Sequence, residues 1–165
     1  MKLGNRVTVA AAAGALVIAV GLGSGAIRTE AAVDAKTVIE ARQKAMKDNG
    51  GHMKAINAFV EKGEGDAATV AEHANAIAEI AKKIPELFPE GTSLADGHGV
   101  KTAAKPEIWS DWAGFEKAAA YLGEEATHLA EAAKGGDKQA IAAAFAELGK
   151  DGCGGCHSKF RQKQD

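Results

Sequence analysis

Apolar residues recur along most of this chain in alternating steps of three and four, the period of a helix packed along one narrow seam. The first such stripe runs Ile39, Arg42, Met46, Asn49, Met53, Ile56 and Val60, with two polar residues inside it. A second runs Val70, His73, Ile77, Ile80, Ile84 and Leu87. The third is Ile108, Trp112, Phe115, Ala119, Leu122, Ala126, Leu129 and Ala133, and the fourth is Ile141, Phe145, Leu148 and Gly152. Strand-like alternation is absent, and alanine, the best helix former, is abundant. The stripes predict four helices.

The breaks between stripes set the topology. Gly63 to Asp66 separates the first two helices, and Gly135-Gly136-Asp137 separates the last two. All three prolines, Pro85, Pro89 and Pro106, fall in the middle connection together with Gly91, Gly97 and Gly99. Pro106 suits the first turn of helix three, where a missing N–H costs nothing. Short, long and short connections predict an all-α, antiparallel up-down-up-down four-helix bundle. Gly50-Gly51 interrupts helix one at a cost of roughly 1 kcal/mol per glycine. The stripe keeps phase across the pair, so the expectation is one continuous helix with a close helix approach there. In this topology the end of helix four lies beside the start of helix one, the end of helix two and the start of helix three.

The N-terminus has a different pattern. Lys2 and Arg6 precede an apolar run from Val7 to Val20, and small residues follow up to about Ala35. A positive start, an apolar stretch and a small-residue zone are the layout of a secretory signal. Cleavage is expected between 26 and 35, with the cut after Ala31 preferred, giving a signal peptide at 1–31 and one domain at 32–165. An uncleaved anchor is the competing reading, because Val7 to Ile27 nearly suffices to span a bilayer. Removing 1–31 takes away three of 20 basic and one of 22 acidic residues, leaving a net charge of about −4. That balance does not suit a nucleic-acid binder, and it favours a partner with a basic patch.

Chemistry concentrates near the C-terminus, in Cys153-Gly154-Gly155-Cys156-His157. The segment contains both cysteines of the chain. C-x-x-C-H is an attachment site of c-type haem: each thiol adds to a vinyl group, and the histidine becomes the proximal iron ligand. Cysteines three apart on a helix can grip one edge of a flat macrocycle. The cofactor expected is one covalent haem c, held by Cys153 and Cys156 with His157 on the iron. A thioredoxin-like C-x-x-C would follow a strand and open a helix, whereas this motif closes the last helical stripe. A zinc site would need a fourth ligand from elsewhere. Bacterial c-type haem is attached outside the cytoplasmic membrane, so the motif and the N-terminus agree on the periplasm.

Topology sorts the residues able to reach the iron. Met46 lies on the inward stripe of helix one at the haem end and is the candidate distal ligand, which would give a His/Met haem suited to electron transfer. The competing reading is core filler, the usual role of a striped methionine. Met53 lies roughly 10 Å farther along the axis and is read as packing. Arg42, one turn before Met46, is a charge on a buried seam and needs an anionic partner; a haem propionate would supply one. Trp109, Trp112, Phe115, Ile84 and Phe88 are expected as apolar walls. His52, His73, His98 and His128 are read as structural or surface residues.

In these residues and in several short segments the chain resembles the cytochrome c′ family, the class II c-type cytochromes. The resemblance rests on Ala41-Arg42-Gln43, Met46-Lys47-Asp48-Asn49-Gly50, Leu87-Phe88-Pro89-Glu90-Gly91-Thr92, Lys105-Pro106-Glu107-Ile108-Trp109, the C-x-x-C-H segment, and Phe160-Arg161. It implies one of two functions. In one branch of the family the iron is five-coordinate and high-spin, and its cramped distal face admits nitric oxide or carbon monoxide. In the other a helix-one methionine ligates the iron and the protein is a low-spin electron carrier. Met46 and the run after it look more like the second. The resemblance also implies Arg42 beside the propionates, Arg161 near the proximal histidine, and homodimers through helices one and two. The expected function is a periplasmic one-electron carrier, not an enzyme, whose redox partner proteins the sequence does not name.

Overall fold

The structure, a computed structural model, describes residues 34–163. The expected signal segment 1–31 lies outside the described residues. Helix α1 spans Ala35–Lys62 and α2 spans Ala67–Lys83. A single 3-10 turn, Pro85–Leu87, opens the long connection. Then come α3 (Glu107–Ser110), α4 (Trp112–Gly135), α5 (Lys138–Glu147) and α6 (Gly154–Phe160). A π-helical segment, Leu148–Cys153, joins the last two into one rod. The rods pack in a ring, α1 on α2, α2 on α4, α4 on α5 and α5 back on α1. That is the up-down-up-down bundle. Among the described residues no helix is long and apolar enough to cross a membrane.

Local chemistry sets the helix ends. Each of the four long helices starts at an aspartate whose carboxylate accepts a backbone N–H of the first turn: Asp34 from Thr37, Asp66 from Thr69, Asp111 from Gly114 and Asp137 from Gln139. Those N–H groups have no intrahelical partner, so a side-chain oxygen there stabilises the start. Gly63 and Gly136 close α1 and α4 in the left-handed region, at φ 71° and 73°, which a Cβ would disfavour.

Two departures from the expected helices shape the end of the bundle where helix four terminates. Helix three is broken: Asp111 leaves helical geometry at φ −128°, ψ 56°, so a one-turn α3 precedes α4. Helix four widens into the π segment before the cysteine motif. Leu148, Gly152, Cys156 and Phe160 recur every four residues, and on an α-helix that spacing drifts by about 40° per step. A π turn takes up the drift and keeps all four on one side.

The expectation at Gly50-Gly51 divides. Helix α1 is continuous there, but no other described element of the same chain approaches closely, since a Cβ on either glycine would meet nothing within 4 Å. The tight contact lies between α2 and α4, where a Cβ on Gly123 would come within 3.5 Å of the Ala81 methyl. Ala74, Ala78 and Ala81 on α2, with Ala119, Ala126, Ala130 and Ala133 on α4, are buried around it. Small side chains on both helices let the axes approach.

Candidate haem pocket

A cavity of about 450 Å³ opens at the end of the bundle where helix four terminates. Each rod contributes to its lining: Arg42, Gln43, Met46 and Lys47 from α1, Ile84 at the end of α2 with Phe88 just after the 3-10 turn, Ile108 and Phe115 from α3 and α4, and Cys156, His157, Phe160 and Arg161 from the last rod. Thr102, Ala103 and Ala104 of the long connection complete it. The four regions that topology predicted to meet do meet.

The apolar wall is an aromatic stack. Phe115 is edge-on to Phe88, with centroids 4.8 Å apart, and to Phe160, at 5.4 Å. Trp109 and Trp112, expected as walls, do not line the cavity. Trp109 instead donates its indole N–H to the Phe88 carbonyl at 3.0 Å, and Trp112 packs behind Phe115 with centroids 5.6 Å apart. The broken start of helix three turns both rings away.

The long connection is a strap across this end. Lys105 N–H donates to the Phe160 carbonyl (3.1 Å), Gln162 N–H to the Ala103 carbonyl (2.8 Å), and Leu94 N–H to the Ala104 carbonyl (2.8 Å). Arg42 fastens its inner side. The guanidinium donates to the Thr92 hydroxyl and carbonyl and to the Thr102 hydroxyl, and it lies 4.8 Å over the Phe88 ring. All three acceptors are neutral. Arg42 is only 3% exposed, and burial pulls its pKa down to about 10. A desolvated cation facing a cavity, with no carboxylate in ion-pair range among the described residues, leaves its charge to an anion in that cavity.

The cysteines bear on the alternatives to haem. Both are partly buried against the core. Desolvation raises both thiol pKa values, and that of Cys156 reaches about 11 through burial and then the neighbouring Cys153. Thiols held neutral in apolar surroundings are poor thiolates, which zinc ligation and thiol–disulfide exchange both require. Thioether formation leaves no charge in that environment. Desolvation and then Arg161 lower the His157 pKa, which favours the neutral imidazole that binds iron. Apolar walls, neutral sulfurs, a neutral imidazole and a buried cation fit a haem with an acidic edge.

A family profile described as Cytochrome C′ matches residues 37–161. The chain belongs to the cytochrome c′ family. Its cofactor is covalently attached haem c, as in that family. It is 41% identical over 125 residues to cytochrome c′ of Pararhodospirillum photometricum, covering 75% of this chain and 95% of that protein. It is 38% identical to cytochrome c-556 of Agrobacterium tumefaciens strain B2A over 76% of this chain and 98% of the relative. Among solved structures, a cytochrome c′ with ligand-controlled dimer dissociation superposes with a TM-score of 0.69, at 36% identity over 78% and 97% of the two chains. The nitric oxide complex of the L16A mutant of cytochrome c′ from Alcaligenes xylosoxidans gives 0.67, at 26% identity over 79% and 97%.

Of the sequence-predicted site residues, Arg42, Met46, Cys156 and His157 line this cytochrome c′ cavity, with Arg161 beside them. Cys153 sits at the end of the π segment, packed on the core. Met53 packs against the fourth rod, where a Cβ on Gly149 would lie 3.7 Å from its methyl. Sequence reasoning gave no role to Thr92 or Thr102, whose oxygens hold Arg42. Hydroxyls in a loop carry no periodic signal, and only the closed strap brings them to α1.

Proposed function

We propose that this cytochrome c′ is a one-electron carrier whose haem iron takes His157 on one face and Met46 on the other. Cys153 and Cys156 form the thioethers, and Arg42 pairs with a propionate. The observation that carries the reading is that Met46 and His157 line one apolar cavity. Bound haem supplies one-electron chemistry at iron. The chain's residues do the rest: the Phe88, Phe115 and Phe160 rings exclude water, Arg42 neutralises an acidic edge, and the strap covers it. No bond in a substrate is made, so the protein acts as a carrier and not as an enzyme. Relatives in the family are periplasmic. Export of this chain through cleavage near Ala31 belongs to the same reading, and N-terminal sequencing of the secreted protein tests it.

A second reading has one specific support, the relative solved as a nitric oxide complex. In it Met46 packs over a vacant iron position that admits a small gas. Visible spectra decide. A low-spin ferric spectrum with a sulfur-to-iron charge-transfer band, lost in Met46→Ala, supports the carrier. A high-spin ferric spectrum with prompt carbon monoxide binding on reduction overturns it. A homodimer through α1 and α2 is proposed alongside, since one related cytochrome c′ forms a dimer whose dissociation is ligand-controlled. Sedimentation with and without carbon monoxide tests that assembly.

A further inference from the structure

A second cluster lies outside the haem cavity, on the α4–α5 face. Glu125 and His128 are three apart on α4 and therefore share one side of that helix. Glu147 is the last residue of α5, immediately before the π segment. One ligand atom from each of the three lies within 4.8 Å of the other two. His128 and Glu147 are exposed, whereas Glu125 is half-buried. Its Oε2 is fully covered and has no hydrogen-bond partner. A covered carboxylate oxygen without a donor of its own is costly, and the neighbouring Tyr121 phenol is a polar group that reaches this carboxylate. The ion pairs of the described surface leave all three residues out.

We propose that Glu125, His128 and Glu147 form a binding site for a first-row divalent cation, with Zn²⁺ the ion that fits best, clamping α4 to the end of α5. One imidazole and two carboxylates give a three-ligand set, and exposure of His128 and Glu147 leaves the fourth tetrahedral position to water. Bonds of about 2.0–2.1 Å bring ligand atoms to roughly 3.3 Å apart, which these side chains reach by small rotations. The imidazole donor favours Zn²⁺ over Ca²⁺ and Mg²⁺, which prefer all-oxygen ligand sets.

The clamp would act on the haem-bearing rod. The π segment passes directly over Glu125: a Cβ on Gly152 would lie 3.7 Å from the Glu125 Cβ. The ion would therefore tie α4 to the start of the turn that aims the cysteine motif, while Glu125 packs against Gly152 near its end, immediately before Cys153. None of the three ligands lines the haem cavity, and the site stands whichever axial ligation holds.

The test is calorimetric titration of chelator-treated holo-cytochrome with Zn²⁺ alone, against His128→Ala and Glu147→Gln. The expected result is one equivalent bound by the parent, with affinity at least about tenfold weaker in each variant. Saturating Zn²⁺ also raises the parent's Tm and leaves both variants unmoved. An unchanged Soret band throughout shows that the bundle is folded and the haem untouched. The Glu147→Gln variant keeps size and hydrogen bonding, so it decides the matter if His128→Ala folds poorly. Absence of binding at millimolar Zn²⁺ overturns the proposal. So does equal affinity in parent and variants, which would place the ion on other histidines.

Discussion

The Arg42 guanidinium holds Thr92 at two points: Nη1 donates to the hydroxyl at 2.9 Å and Nη2 to the carbonyl at 2.5 Å. The same hydroxyl donates to the Pro89 carbonyl at 2.8 Å, so one side chain of α1 fixes a tight turn of the strap fifty residues away. Both residues are 3% exposed. Hydrogen bonds to a buried charge contribute more than neutral ones, and an orphaned partner adds its desolvation cost.

Arg42→Ala is therefore expected to destabilise the holo-protein by about 2–4 kcal/mol, and Thr92→Val by about 1–2 kcal/mol. Urea unfolding followed by far-UV circular dichroism measures both. The double variant should fall short of the sum, because the two changes remove the same contact. Full additivity would mean that the strap is held elsewhere.

Glycines in the first and last rods should respond oppositely to alanine. Gly51 is exposed in the middle of α1 with open space around it, so Gly51→Ala gains helix propensity, about 1 kcal/mol. At Gly152 a new Cβ would meet Leu148 Cδ1 at 3.2 Å and Leu122 Cδ1 at 3.3 Å. Overpacking costs about 1–3 kcal/mol and outweighs the propensity gain. Thermal melts should show Tm rising for the first variant and falling for the second.

Those glycines show what could be read in advance. The stripes carried the rods, their order and the meeting of Arg42, Met46, Cys156 and His157, because helical period and connection length determine which ends adjoin. The spacing of four through Leu148, Gly152, Cys156 and Phe160 also carried the π turn, had drift been counted. Gly50-Gly51 permits a close approach without supplying a partner within the chain. The α2–α4 alanines supplied one. The break at Asp111 and the threonines around Arg42 depend on a loop closing back over the bundle. Contacts of that kind leave no periodic trace.

Acid sensitivity at the start of α4 follows from Asp111, whose carboxylate caps Gly114 and pairs with Lys159 of the haem-bearing rod. Lys159 first, and the Gly114 amide after it, hold the Asp111 pKa below the usual carboxylate value of 3.8. A depressed folded pKa contributes stability that is full above the unfolded value and lost as pH falls through the folded one. Asp111→Ala should lower Tm at pH 7 and flatten the dependence of Tm on pH below about 4. A parallel pH profile in the variant would mean that the cap and pair carry no stability.

His52 supplies a second pH response in a different window. Its Nδ1 lies 3.0 Å from Nδ1 of His73, across the α1–α2 contact, so one ring donates to the other only while at least one is neutral. Desolvation, and then the charge of His73, lower the His52 pKa below 6.5, while Asp48 one turn earlier opposes the shift. Above pH 6.5 both folded and unfolded states carry a neutral His52, and its contribution is complete. As pH falls below 6.5 the unfolded chain takes the proton first, so stability declines down through the folded pKa. The expected outcome is a urea midpoint that drops between pH 7.5 and pH 5 in the parent and drops less in His52→Gln. Equal drops in both proteins would show that the pair is not linked to folding.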